Sequence, residues 1–442
     1  MLSFIKKIIN FFKFKNLNNS KNYKQKDELW LINGKYYDLT TFIHRHPGGN
    51  HSILLGKGID CSILFEQYHI LNDNHKKILK LFEVYYYNEK DIQDNNDSNE
   101  IEDGENFYED IRKMVQEYVL KNGKNSHKMK SSMLYLLLFV FVSTIFSWYL
   151  WFKEYWISLI LLPIFNWLLT VNTFHDGTHF SVSKNPLINK ICAWTCVPLF
   201  FNSITWYIQH IVSHHCYTNH VDKDCDVDFL PFLRNHHEQD KLKQNKIYNI
   251  ITLFLVSSLT TFVLSVIHPL LSIFDKCHNT VSNRNNIIKT FSFQFISQLL
   301  ITLSYYIYPF VSGFNYPIIF ILVPQIIGSL IFFFISQISH INQNSQLYST
   351  NELSNMHWSK NMIYTSVDYC TDSFIYTFIT GGLNMQSLHH LIPSVSSTRY
   401  QELYPRFRKI CKKYNYKINE YDSIFEPLNN YLNYVLYLSE EK

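Results

Sequence analysis

The sequence predicts a multi-pass α-helical membrane protein, with four spanning helices plus interfacial helices, preceded by a small soluble α+β module. Three observations carry that prediction. Residues 134–152, 156–174, 291–310 and 316–338 contain no charged side chain, and each is close to the roughly 20 residues that cross a bilayer. Charged residues make up only 17% of the 442-residue chain, and hydrophobic ones 47%, against about a quarter charged in soluble domains. The apolar residues are also unevenly spread, since the long uncharged runs begin only beyond residue 130.

In chain order, residues 1–26 form a basic leader whose apolar residues are interrupted by Lys6, Lys7, Lys13 and Lys15, a poor signal-peptide core. Such a segment is either disordered or lies on an anionic membrane face. Residues 27–88 open with "DELWLINGKYYDLTTFIHRHPGGN", a strand-like alternation around an Asn33-Gly34 turn. Residues 89–105 are acidic and Asn-rich, which reads as a flexible linker. A helix at 106–122 follows, with Phe107, Ile111, Met114, Val115, Tyr118 and Val119 on one face. Residues 106–430 form the membrane domain and 431–442 a C-terminal tail.

Lys121, Lys124, Lys128 and Lys130 precede the first uncharged run, which places that end in the cytosol. The first two runs then make a hairpin that returns there. The run 187–204 contains Lys190 and Pro198 and is expected to pack at the surface. The run 248–274 is also uncharged. If the histidines on either side of it act together, the chain must cross an even number of times between them. The run is therefore expected to lie in the interface or to turn back near His268-Pro269, with residue 281 on the cytosolic side.

A net charge of +4 without a Lys/Arg tract flanked by aromatics argues against nucleic-acid binding. The eight cysteines include no CxxC motif, so they read as free thiols in a reducing compartment.

Three histidine clusters stand out: "HDGTH" (His175, His179), "HIVSHH" (His210, His214, His215) and "QSLHH" (Gln386, His389, His390). On a helix, positions i and i+4 share a face, so His175 with His179, and His210 with His214, can each aim two nitrogens at one point. The adjacent histidines add ligands in a neighbouring direction, as two metals would require. His340, at the end of the fourth run, makes an eighth candidate imidazole. Imidazole suits iron, copper, zinc and nickel, so ligand type does not select the metal. Asp176, Asp224, Asp226 and Asp228 are candidates to orient ring nitrogens or, equally, to cap helices. His220, His236, His237 and His357 lack the spacing.

The order HDxxH, then HxxxHH followed by "YTN" and "DCDVD", then "GGLNMQSLHHLIPS" resembles the membrane fatty-acid desaturases over residues 106–430. Gln386 at the head of the third cluster resembles their front-end subgroup, which includes sphingolipid desaturases. The resemblance implies the histidine-box desaturase fold and two iron ions bound by the eight histidines. It also implies oxygen as co-substrate and the removal of two hydrogens from adjacent methylenes of a lipid acyl chain. Residues 27–88 resemble the cytochrome b5 haem-binding domain, with His46 of "HPGG" and His69 matching the two axial ligands of haem b. Two imidazoles leave no open position on the haem, which suits electron transfer. His44, His51 and His75 compete with them. The tether would deliver electrons at high effective concentration, drawn from NADH through a cytochrome b5 reductase. The expectation is an endoplasmic-reticulum enzyme, with haem domain and boxes facing the cytosol, that desaturates between an existing double bond and the carboxyl end. The alternatives are a sphingolipid long-chain-base desaturase, a lipid hydroxylase, or a membrane-tethered haem electron carrier with inert boxes.

Overall fold

The computed structural model describes residues 26–84, 98–229, 231–240 and 246–440; the leader and residues 89–97 of the expected linker lie outside the described residues. The N-terminal module contains β1 (Trp30–Ile32), β2 (Lys35–Tyr37) and β3 (Glu83–Val84) in an antiparallel sheet of that order. Asn33 and Gly34 join β1 to β2 with φ of 48° and 73°, the backbone that a two-residue hairpin loop needs. Trp30, Tyr37, Leu39, Phe42 and Leu55 form the module's core, with the Trp30 indole donating to Ile53 O at 2.7 Å. Helices α1 (Gly49–Leu55) and α2 (Ser62–Tyr68) bracket the expected haem site.

The core does not stop at the module. Ile204, Tyr207, Ile208 and Ile211 of the second histidine segment, with Val281, Ile287 and Phe291, belong to the same buried cluster. The Asn283 amide donates to Leu55 O and Lys57 O at 2.8 and 2.9 Å, and His51 stacks on Phe291 at 4.1 Å. The module is docked on the membrane domain.

Helix α3 (Ser98–Asn122) begins inside the segment expected to be linker, and this corrects the boundary. Gly104 lies so close to His357 that a Cβ would stand 2.3 Å from that side chain, and its carbonyl accepts from Ser359 Oγ at 3.1 Å. Packing overrides the polar composition there. The expected face holds, with Phe107, Ile111, Met114, Val115 and Tyr118 all buried. The expected tail is also corrected. Residues 425–440 form a helix whose Tyr431, Tyr434, Val435 and Leu438 are buried against Phe333 and Ile338.

Helices α4 (Met133–Phe152) and α5 (Ser158–Leu169) form the first hairpin, and α4 leaves Leu134, Leu138, Phe139 and Val142 exposed along its length, a surface suited to lipid. Among the described residues, four helical stretches are long and apolar enough to cross a membrane: 133–152, 158–178, 247–273 and 317–338. The set differs from the expected one at its third member. Helix α7 (Ser292–Val311) qualifies only together with residues 284–290, from which it bends by 82°. Its inward Gln294, Gln298 and Thr302 lower its apolar character.

Helix α6 (Lys246–Phe262) and its continuation to Ile273 are helical throughout, and contacts locate the two ends. At the start, Leu253 packs with Ile338, Ile341 and Tyr431. In the middle, Thr261 and Ser329 hydroxyls meet at 2.6 Å. Beyond the end, His278 reaches Gln209, next to His210, at 3.2 Å. The crossings between the second and third clusters are made by α7, from Phe295 beside Asn202 to Tyr305 beside Ile321, and by α8 (Pro317–Ile338), which returns to His340. The run 248–274, expected to lie in the interface or to turn back near His268-Pro269, is instead one continuous helical stretch through that point, long and apolar enough to span.

The run 187–204 is superficial only in its first half, where Leu187, Ile188, Lys190 and Ile191 are exposed as expected. Ala193, Cys196, Leu199, Phe200 and Phe201 are buried, and the Phe200 ring is within 3.4 Å of where a Cβ on Gly328 of α8 would lie. Beyond Lys190 the run is uncharged, and nothing there opposes burial.

Candidate metal centre

The first two histidine segments are not plain α-helices. Thr170–His175 and Tyr207–His214 are π-helical and wholly buried, a wider winding that concentrates at functional sites. The wider turn adds partners to those that i, i+4 spacing predicts. His210 Nε2 lies 3.2 Å from His215 Nε2, five residues on, and 3.2 Å from His179 Nε2. His214 faces away, with its Nε2 3.1 Å from His340 Nε2. Through Nε2, His210 and His214 thus join different groups, while their ligand atoms also meet in a third group with Asp226, as the i, i+4 spacing expects.

The ligand atoms of His175, His179, His210 and His389 lie within 4.8 Å of one another, and those of His214, His340 and His390 likewise. His215 stands between the groups, its ring 4.5 Å from His179 and stacked 4.3 Å from His390. All eight rings are buried.

The outer nitrogens fix the tautomers. His340 Nδ1 donates to Thr365 O at 3.0 Å and His214 Nδ1 to Asp224 Oδ2 at 3.0 Å. Thr218 gives its proton to His214 O at 2.8 Å and so accepts from His390 Nδ1 at 3.1 Å. A proton on each Nδ1 leaves each neutral ring with an Nε2 lone pair. The three Nε2 atoms converge in a buried space, the arrangement that three imidazole ligands of one metal ion require. Burial also holds His210, His215, His340, His389 and His390 well below the ordinary imidazole pKa, with neighbouring rings adding to the effect. They stay neutral, the form that ligates. In the other group, His175 has neither ring nitrogen partnered and His389 Nε2 is unpartnered among the described residues. Their all-imidazole donor set fits a transition-metal ion, iron among them.

Of the remaining expected residues, Gln386 Nε2 is 2.7 Å from His340 Nε2 and 3.0 Å from His390 Nε2, and its oxygen has no partner among the described residues. A half-turn of the amide would present that oxygen to an ion instead. Asp176 turns away from every ring. Its carboxylate accepts from the Ser396 and Ser397 hydroxyls at 2.7 and 3.2 Å, so it ties two chain segments together. Asp226 Oδ2 is 3.6 and 3.8 Å from the Nδ1 atoms of His214 and His210. Sequence reasoning missed Thr365, Tyr400, whose hydroxyl is 3.1 Å from His389 Nδ1, and Tyr68. Thr218, within the quoted "YTN", was in view.

In the module, His46 and His69 rings face one another with centroids 6.1 Å apart. His69 Nδ1 donates to Phe65 O at 2.8 Å and His46 Nδ1 lies 3.3 Å from Gly49 O, which turns both Nε2 atoms inward. Metal–imidazole bonds of about 2 Å on each side fit in that gap. Burial lowers both pKa values, that of His46 to about 4. A Cβ on Gly48 would sit 2.9 Å from the His46 ring, so that glycine keeps the ligand in place. Of the competitors, His51 is turned to Phe291, His44 to Asn50 at 3.2 Å, and His75 packs 4.9 Å from His69.

A cavity of about 940 Å3 opens beside the second group, at the upper end of the range for small-molecule sites. His210, His214, His340 and Gln386 line one side, and Leu255, Leu259, Leu264 and Phe332 the other.

Comparison with known proteins agrees with this arrangement. The profile of the fatty acid desaturases matches residues 154–422, and that of the cytochrome b5-like haem/steroid binding domain residues 16–88. The chain is 34% identical to an acyl-lipid omega-13 desaturase of Chlamydomonas reinhardtii, over 89% of this chain and 90% of that one. It is 28% identical to acyl-lipid (8-3)-desaturase B of Dictyostelium discoideum (93% and 91% covered) and 26% to an acyl-lipid (8-3)-desaturase of Mortierella alpina (93% and 94%). No solved structure matches. Two buried imidazole groups beside an apolar cavity, behind a facing pair of histidines in a docked module, are the architecture of a family that the profile now names: this chain belongs to the fatty acid desaturases and carries a cytochrome b5-like domain at its N-terminus.

Proposed function

We propose that this desaturase introduces a double bond between an existing one and the carboxyl end of an unsaturated fatty acyl chain, carried by a lipid. The observation that carries the reading is the cavity, apolar along α6 and α8 and ending at His214, His340 and Gln386, with the front-end relatives in support. His175, His179, His210, His214, His215, His340, His389 and His390 hold two irons, and His46 and His69 hold haem b. When bound, the irons supply the activation of oxygen that breaks unactivated C–H bonds. The balance is R–CH2–CH2–R′ + O2 + 2 e− + 2 H+ giving R–CH=CH–R′ + 2 H2O. The chain's residues keep the ligand nitrogens neutral, fix their tautomers and exclude water from the acyl chain. His46 and His69 would hold the haem that supplies one-electron transfer, with NADH and a cytochrome b5 reductase as the source of the electrons. The enzyme sits in the endoplasmic-reticulum membrane with haem and boxes facing the cytosol.

The test is expression in a desaturase-deficient host fed a panel of unsaturated fatty acids, with gas chromatography and mass spectrometry of fatty acids and long-chain bases. A new double bond on the carboxyl side of an existing one is expected. Unsaturation confined to long-chain bases would refute the acyl substrate, and hydroxylated products would refute the reaction.

A further inference from the structure

The three residues Gln67-Tyr68-His69 join the two halves of the protein more intimately than a tether requires. Gln67 is fully buried, and its amide donates to the carbonyls of His215 at 3.2 Å and His390 at 2.8 Å. Its own carbonyl accepts from Ser394 Oγ at 2.9 Å. The Tyr68 hydroxyl lies 2.8 Å from Nδ1 of His179, and the two rings are nearly parallel, 12° apart. The next residue, His69, faces His46.

We propose that Tyr68, a residue of the haem module, is a positioning residue of the metal centre: it holds the outer nitrogen of His179 and so completes one iron ligand from the other domain. This rests on the reading above, in which His179 ligates iron and His69 ligates haem. With the metal on Nε2, Nδ1 of His179 carries the proton and donates it to the Tyr68 oxygen. That contact does for His179 what Thr365 O does for His340 and Tyr400 does for His389. Docking of the module is then a condition of a complete centre. It also gives electrons a short route: the haem axial ligand His69, one peptide bond, Tyr68, one hydrogen bond, His179. Each transfer oxidises ferrous haem to ferric and reduces the centre by one electron, with no bond made or broken. Two such transfers serve one double bond, and an external flavoprotein-class donor reduces the haem again.

The test uses the full chain, with Tyr68→Phe and Tyr68→His compared with wild type. Haem absorbance reports that the module is folded and loaded. The chelator concentration that strips half of the non-haem iron reports ligand positioning without turnover. Loss of an outer partner of a metal ligand costs about 10- to 100-fold in affinity, so Tyr68→Phe should release iron at correspondingly lower chelator. Tyr68→His offers a ring nitrogen as acceptor and should recover most of the retention. Re-oxidation of flash-reduced haem, followed anaerobically without substrate, should slow in Tyr68→Phe by about tenfold, equivalent to ~1.4 kcal/mol. Wild-type iron retention in Tyr68→Phe overturns the proposal, and so does equal iron loss in both variants, which would mean packing alone. A wild-type chain that binds no non-haem iron refutes the functional reading itself, a separate outcome.

Discussion

Asp224 offers the sharpest test of how the centre is held. Its buried carboxylate accepts three hydrogen bonds: from His214 Nδ1 at 3.0 Å and Asn219 N at 2.8 Å on one oxygen, and from Asp226 N at 2.9 Å on the other. Asp224→Asn keeps the shape but replaces one acceptor by a donor. With its nitrogen on the Asp226 side the amide faces one N–H of the surroundings, and on the other side it faces two, those of His214 and Asn219. An unpaired buried donor costs about 1–3 kcal/mol, and a misdirected outer partner costs about 10- to 100-fold in metal affinity. If the amide oxygen stays on His214 the loss falls on stability, and if it turns to Asp226 the loss falls on iron. Asp224→Ala removes all three contacts and should lose both. The assay is non-haem iron per chain under a chelator titration, together with thermal unfolding, with haem absorbance as the internal control. Asp224→Ala protein that keeps wild-type iron and stability would refute the role given to this carboxylate.

Other perturbations separate the two sites. His389→Ala or His214→Ala should abolish double-bond formation in membranes that retain the normal haem spectrum, whereas His46→Ala should lose the haem; product analysis and absorbance read the two independently. Asp368, buried and bonded to Tyr404 OH at 2.6 Å and Ser387 N at 2.9 Å, has its carboxyl raised by desolvation to about 7. A raised acid pKa means that stability is lost as pH climbs from about 4 through 7, with an upper bound of about 4 kcal/mol. Asp368→Asn should therefore unfold at higher temperature than wild type at pH 8 and show no such advantage at pH 5. A Cβ on Gly49, where φ is +85°, would stand 2.7 Å from Pro186 Cβ. Gly49→Ala should loosen the docked module, measured as faster proteolysis between residues 85 and 97, with haem retained.

Much of this molecule is legible in local spacing. The three clusters and His340 at the end of an apolar run follow from short-range pattern, whereas the pairing of His46 with His69 comes from the resemblance to the cytochrome b5 domain. The Asn33-Gly34 hairpin and the inward face of residues 107–118 follow from pattern too. Long-range partners do not. Nothing near His179 points to Tyr68, 111 residues earlier, or near His340 to Thr365. Spacing also assumed an α-helix where the chain winds as a π-helix, and that half-step sends the Nε2 atoms of His210 and His214 to different groups. Composition misled twice: the acidic end of the linker, from residue 98, is helical where Gly104 packs on His357, and the second half of the run 187–204, beyond its lone charge, is inside. Residues 431, 434, 435 and 438 were readable, since their i, i+3, i+4, i+7 spacing marks a buried helical face.

The most direct test of the central claim is the iron count of the purified wild-type chain against its haem content. Two non-haem irons beside one haem iron, with the non-haem irons lost in His389→Ala and the haem kept, is the predicted result. Desaturation by protein that holds only haem iron would contradict it.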